Sequence, residues 1–193
     1  MTNHSKRQEI LEAAARLFRD YGYPATSMRQ LAKAVNLKAS SLYNHIGSKE
    51  EILKTICFQN ASRFEEGMKL ITADDSLNIA AKVQALIRLH IQVATEDFSS
   101  VTAFNNEWRH LSDPHYSEFL EMRRAYEDSF RRLLQKGMEE NVFKLKNPTV
   151  VLYTLLSSFR WLYDWYKPER AIQAEQIEEE MIDTIMNGLF ERS

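Results

Sequence analysis

The chain has 193 residues, of which 44% are apolar, enough to fill a core in one domain or in a small head on a larger body; its net charge of −2 argues against a generic polyanion binder. No apolar stretch approaches the roughly 20 residues of a membrane span, and the opening MTNHSKRQEI lacks the apolar core of a signal peptide, so the expected location is the cytoplasm. The lone Cys57 excludes an intramolecular disulfide and reads as a packed core thiol.

Five Gly, four Pro and the lack of a long alternating run of β-branched residues point to an all-α chain of about nine helices. The first should span residues 5–21, bury Ile10, Leu11, Ala14, Leu17 and Phe18, and stop at Gly22. Ser27 is placed to N-cap a short second helix carrying Met28, Leu31, Ala32 and Val35 at helical spacing. Asn36 follows at the turn, where a residue tolerant of the left-handed conformation is needed, and Leu37 is the apolar plug. Ser40 or Ser41 then starts another short helix through Leu42 and Tyr43 to His45 and Ile46.

Two short helices joined by such a turn have the geometry that sets the second into a DNA major groove. That helix is crowded with groups suited to a nucleic acid. Lys38, Ser40, Ser41 and Asn44 are expected to face base edges, while Thr26, Tyr43, His45 and Lys49 grip phosphates. A plain αα-corner with a polar face would explain the Leu and Val positions but not this crowding. The charge distribution agrees: residues 1–50 hold eight Lys/Arg against four acids, a net of +4, and the remainder carries −6. A basic end can meet phosphates while an acidic body is repelled from them.

A fourth helix, residues 48–70, opens with Ser48 and Glu51 at capping-box spacing and links a three-helix head of residues 1–50 to a helical body of residues 51–193. The polar TADDS segment after it acts as a hinge. A fifth helix, 77–98, places Ile79, Val83, Leu86, Ile87, His90, Ile91 and Ala94 on one face. A sixth, 101–111, carries Phe104, Trp108 and Leu111. Beyond Ser112 and Pro114 a long seventh runs to about residue 141 with Phe119, Met122, Tyr126, Phe130, Leu133 and Gly137 inward.

Residues 147–166 are apolar or aromatic almost all round, and the last helix, 174–190, repeats Ile177, Met181, Ile185, Met186 and Leu189. A helix without a polar face must be covered on every side. A homodimer with a four-helix interface about a two-fold axis does this, with Leu155, Phe159, Leu162, Met181 and Ile185 shared between subunits or lying just beneath; a tightly wrapped monomer is the alternative. Among the aromatic residues of the body, Phe104, Trp108, Tyr126, Phe159 and Tyr163 could line a concave cavity, with His90, Asn105, Arg109, Arg123 and Arg160 to orient a ligand; ordinary core with a solvated rim is the plainer reading of each one alone.

From Arg7 to Ile56 the chain resembles the TetR-type transcriptional regulators. The resemblance rests on ILEAAARLFRDYGYPATSMRQLAKAV and on SLYNHIGSKEEIL, which keeps Leu42, Tyr43, His45, Lys49 and Glu50 of the family's block and departs at Ile46 for an aromatic and Asn36 for a Gly. NEWRHL before a Pro and a long helix, with WLYDWYKPE later, is similar to the subset that senses acyl-CoA thioesters or related fatty and aromatic acids, although Arg170 stands where that subset has Gly. The resemblance implies a homodimeric repressor that binds double-stranded operator DNA and is released by a small apolar effector such as an acyl-CoA. A regulator of drug efflux that senses lipophilic drugs, and a helical adaptor without DNA binding, are the alternatives.

An enzyme would need a nucleophile with a base, paired buried carboxylates or a metal set. His110, His115, Glu107 and Asp113 are the nearest approach to a metal set, and they straddle a Pro break. There is no glycine-rich phosphate loop, and no cofactor is expected.

Overall fold

Each helix starts and stops for a local reason. Ser5 accepts the Gln8 amide and opens α1 (Lys6–Tyr21), which ends at Gly22 with φ of 82°. Ser27 and Gln30 form a reciprocal capping box at the start of α2 (Met28–Ala34). Asn36 takes φ of 54°, the left-handed turn read from the sequence, and α3 (Ala39–Leu42) follows. This third helix is one turn long. Beyond it the Ile46 amide still reaches the Leu42 carbonyl at 3.1 Å, so the segment to Ile46 continues as hydrogen-bonded turns rather than as the longer helix expected.

The computed structural model describes residues 5–166 and 173–189, and among these there is no strand. Ser48 accepts the Glu51 amide at 3.0 Å and starts α4 (Lys49–Ala73), while the Glu51 carboxylate turns back to the Gly47 amide at 2.8 Å. The expected hinge is a tight turn in which the Asp74 carboxylate holds the Ser76 amide and hydroxyl. Then come α5 (Ile79–Glu96), α6 (Phe98–Glu107), a 3-10 turn (Trp108–His110) and α7 (His115–Glu139). Asn147 caps α8 (Pro148–Ser158), whose first residue is a proline that has no amide to leave unpaired. The helix expected over 147–166 is interrupted at Phe159, where the Ser158 hydroxyl bonds back to the Leu155 carbonyl, and resumes as α9 (Arg160–Trp165). The final α10 spans Ala174–Leu189. Among the described residues, counting α8 and α9 as one interrupted helix gives nine α-helices, in line with the expected number.

The chain divides into two compact units, one of residues 1–61 and 99–120, the other of residues 62–98 and 121–193. The boundary expected after residue 50 falls inside α4, and α6 returns to the unit of the head. The first unit is built on Ile10, Phe18, Leu31, Leu42, Ile46, Leu53 and Cys57 together with Trp108, Leu111 and Phe119. Side chains fasten the α6 segment there: the Glu107 carboxylate accepts the Tyr23 amide at 3.1 Å, Asn60 reaches Ser100 at 2.8 Å, and Glu50 accepts the Ser112 amide at 2.9 Å.

The second unit has its own core of Val83, Leu86, Ile87, Ile91, Phe130, Leu134, Phe143, Leu152, Leu155, Phe159 and Leu162, closed by Ile177, Met181 and Met186 of α10. Gly137 is required where α7 meets the chain that returns beyond it. A Cβ there would lie 2.3 Å from the Phe143 ring and 3.0 Å from Ile79. No helix among the described residues is long and apolar enough to cross a membrane.

Candidate nucleic-acid interface and effector site

The turn at Asn36 and the buried Leu42 and Ile46 fix one side of the α3 segment to the core of the first unit, so the other side must face outward. Lys38, Ser40, Tyr43, Asn44 and His45 are exposed, and Ser41 is partly so. Tyr43 is 53% exposed although aromatic, which core packing does not explain. The surface presents a cation, two hydroxyls, a phenol, an amide and an imidazole within eight residues.

Thr26 and Lys49 have other work. Thr26 is only 2% exposed, and its hydroxyl donates to the Gly22 carbonyl at 2.9 Å. The Lys49 ammonium donates to the carbonyls of Tyr23 and Thr26, 2.8 Å each, with Pro24 at 3.5 Å, and lies 4.3 Å from the centre of the Tyr23 ring. In place of the free phosphate grips expected, the two residues take part in intramolecular contacts, and Lys49 makes a clasp that ties the start of α4 to the loop between α1 and α2. No sequence signal announces it, because its acceptors are backbone carbonyls that any residue supplies.

The body residues expected to share one cavity separate into two groups. Phe104 and Trp108 pack in the first unit, where Trp108 stacks on Tyr116 at 5.8 Å and Phe104 meets Phe119 edge-on at 5.7 Å. The Asn105 amide bonds back to the Val101 carbonyl of its own helix, and the exposed Arg109 lies 4.5 Å over the Trp108 ring. These four fill and cover the core beneath the head.

His90, Tyr126, Phe159 and Tyr163 belong to the second unit. The His90 ring is sandwiched between Phe64 at 4.7 Å and Phe159 at 4.5 Å, the latter nearly parallel at 8°. Its Nε2 is 2.8 Å from the Tyr126 hydroxyl. Burial pushes the His90 pKa down to about 3, so the ring is neutral, and burial followed by the nearby Tyr163 hydroxyl pushes Tyr126 well up, so the phenol keeps its proton.

Arg123 is held by Glu127 at 2.9 Å, and the buried Glu127 also accepts the Tyr153 hydroxyl at 2.9 Å, which raises the phenol's pKa. This network on α7 and α8 was not legible in the sequence, although Arg123 and Glu127 stand one helical turn apart. Arg160 is exposed at the start of α9. Arg170, with the Pro of WLYDWYKPE, lies outside the described residues.

The dimer residues divide by burial. Leu155, Phe159 and Leu162 are between 0 and 3% exposed within the single chain, Met181 is 8%, and Ile185 is partly exposed. Val150 and Tyr153 on α8 and Trp161 on α9 are large apolar side chains left exposed. Cys57 is a core thiol, its pKa pushed up to about 12 by burial and then by Glu107. His110 stacks on Tyr23 and His115 meets Phe58 edge-on; among the described residues no three His, Cys, Asp or Glu side chains converge.

Comparison with known proteins agrees across both units. Residues 10–56 match the family model for bacterial regulatory proteins of the tetR family, and residues 76–189 match the tetracyclin repressor-like C-terminal domain. The HTH-type transcriptional repressor KstR2 of Mycolicibacterium smegmatis is 25% identical over 187 residues, covering 96% of this chain and 91% of its own. AibR, solved in complex with isovaleryl coenzyme A and operator DNA, superposes with a TM-score of 0.81 at 27% identity, over 93% of this chain and 97% of AibR. The ketosteroid transcriptional regulator KstR2 of Mycobacterium tuberculosis shares the fold with a TM-score of 0.91 at 24% identity, over 100% and 98% of the two chains.

Proposed function

The chain belongs to the TetR family of bacterial regulatory proteins, and from that membership we propose that it is a cytoplasmic repressor released from its operator by an acyl-CoA thioester. It is a DNA-binding transcriptional regulator, not an enzyme, and its family acts as dimers on operator DNA. The observation that carries the DNA reading is the outward face of the α3 segment. Lys38, Ser40, Ser41 and Asn44 read base edges there, and Tyr43 and His45 meet phosphates. Thr26 and Lys49 serve the interface indirectly by setting the pose of α2 and α3. Two such faces on a dimer would address half-sites about 34–36 Å apart.

The dimer forms through α8 to α10. Val150, Tyr153 and Trp161 supply the outer stripe, with Ile185 at its margin, while Leu155, Phe159, Leu162 and Met181 support the stripe from beneath. Such a stripe gives a self-complementary two-fold contact a ready apolar centre.

The effector site is placed in the second unit, around His90, Phe64, Tyr126, Phe159 and Tyr163. Two considerations support an acyl-CoA: the complex of the 27% identical AibR with isovaleryl coenzyme A, and a largely aromatic setting with few polar groups. Filling this site shifts the protein to a state with lower operator affinity. Helices α4 and α7, each with its first part in one unit and its second part in the other, are covalent routes between them, as is the link at residues 98–99. A coupling of about 1–3 kcal/mol gives a change of roughly 5- to 150-fold in operator affinity, and DNA must then weaken effector binding by the same factor. The test is operator binding titrated with acyl-CoA thioesters of increasing chain length. Release by one class supports the reading; indifference to every thioester and free acid removes the effector class and leaves the regulator.

A further inference from the structure

His90 is a polar ring in an apolar slot, and only half of its hydrogen-bonding capacity is used. The side chain is 5% exposed, stacked on both faces, and joined through Nε2 to Tyr126. Its Nδ1 is buried and has no partner. Buried polar atoms are almost always paired, so an orphan in the middle of a core calls for an occupant.

The Tyr126 contact allows one tautomer that suits an acyl thioester. The phenol has one proton, and giving it to Nε2 makes that nitrogen the acceptor. The single proton of the neutral imidazole then sits on Nδ1, which becomes an unused donor. In the opposite tautomer the Tyr126 proton would turn to another acceptor, for which the Tyr163 hydroxyl is near, and Nδ1 would accept. Burial holds the imidazole neutral, so no second proton blurs the assignment. In the tautomer with its proton on Nδ1 the partner of that nitrogen is an acceptor, and the one acceptor that every acyl thioester carries next to its apolar chain is the carbonyl oxygen.

Resting on the acyl-thioester reading above, we propose that His90 is a binding residue whose Nδ1–H donates to the thioester carbonyl of the effector, with Tyr126 as the positioning residue that fixes its tautomer. Phe64 and Phe159 hold the ring plane, so the donor direction is set before the ligand arrives. A pre-set donor adds selectivity at little ordering cost.

The experiment compares two probes by titration calorimetry: octanoyl-CoA, and its S-octyl thioether, which has a methylene in place of the carbonyl. Wild type should prefer the thioester by about five- to tenfold, the worth of one neutral hydrogen bond in a buried site. In His90→Phe, which keeps an aromatic ring in the slot, the ratio should fall to about one. Tyr126→Phe keeps its ring and releases the tautomer, and it should lower the same ratio, which a merely structural role would not do. If His90→Phe fails to fold by circular dichroism, the Tyr126→Phe ratio decides. A ratio near one in wild type, or one preserved in the folded variants, overturns the proposal while thioester-driven operator release still stands. If no thioester binds wild type at all, the effector reading falls and this proposal with it.

Discussion

Lys49 holds the carbonyl oxygen of Thr26 at 2.8 Å, and the same ammonium reaches Tyr23 at 2.8 Å, so the first residue of α4 anchors the chain just before α2. The contact separates two jobs that a lysine beside DNA can have. A phosphate grip adds to affinity through counterion release, and losing it flattens the salt dependence by about 0.9 in log–log slope. A clasp contributes by posing the recognition segment, and losing it lowers affinity at unchanged slope. Lys49→Met should therefore weaken operator binding and lower the melting temperature while leaving the slope within error. A slope reduced by about one at unchanged stability would restore the phosphate role.

Asn44 is exposed beside Tyr43 on the α3 segment and carries both a donor and an acceptor, the pairing suited to adenine in the major groove. Asn44→Ala should cost about 1–3 kcal/mol on the preferred operator and relax the preference at one base pair. Selection from a randomised duplex library reads both. Equal loss on every sequence would assign Asn44 to the backbone instead.

Local chemistry was legible in the sequence, and long-range chemistry was not. The Ser27 cap, the left-handed Asn36, the Gly22 stop and the outward face of α3 each depend on residues a few positions apart, so periodicity and capping rules reach them. The roles of Thr26 and Lys49 depend on backbone carbonyls across a turn. The placement of Phe104 and Trp108 depends on α6 packing in the unit of the head, which helical periodicity does not encode. His90 was legible as a candidate, but its stacking on both faces and its unpaired Nδ1 emerge only once α4, α5, α7 and the junction of α8 and α9 are assembled.

His90 also predicts an acid sensitivity. Its folded pKa of about 3 lies below the ordinary 6.5, so below pH 6.5 the unfolded chain takes a proton that the folded chain refuses. Stability from this group is full above pH 6.5 and is lost as pH falls toward 3, at up to about 1.4 kcal/mol per pH unit. Melting curves of wild type and His90→Phe between pH 7.5 and 4.5 should diverge, with the variant gaining on wild type as pH drops. Parallel curves would mean that the ring protonates in the folded state.

Gly137 should tolerate no side chain. The Phe143 ring occupies the place of its Cβ, and the Val142 and Phe143 amides both bond to its carbonyl, so ring and backbone are pinned together. Gly137→Ala gains helix propensity on paper, yet should destabilise by about 1–3 kcal/mol through overpacking. Adding Phe143→Leu should recover part of the loss in urea unfolding. A neutral or stabilising Gly137→Ala would show that Phe143 has room to move.

The dimer prediction turns on which apolar residues are still available once the chain has folded. Leu155, Phe159 and Leu162 are already covered within one chain, so a charge at any of them would unfold the protomer and say nothing about association. Trp161 is different. It is 42% exposed and meets Trp165 edge-on at 5.3 Å. Trp161→Glu can send its carboxylate to solvent in an isolated chain, but in a two-fold contact it meets its own copy and buries two like charges together. Sedimentation should then show a monomer with native helical content, and operator affinity should fall because one head addresses only one half-site. A Trp161→Glu protein that remains dimeric and binds its operator as wild type does would move the two-fold contact off α8 and α9.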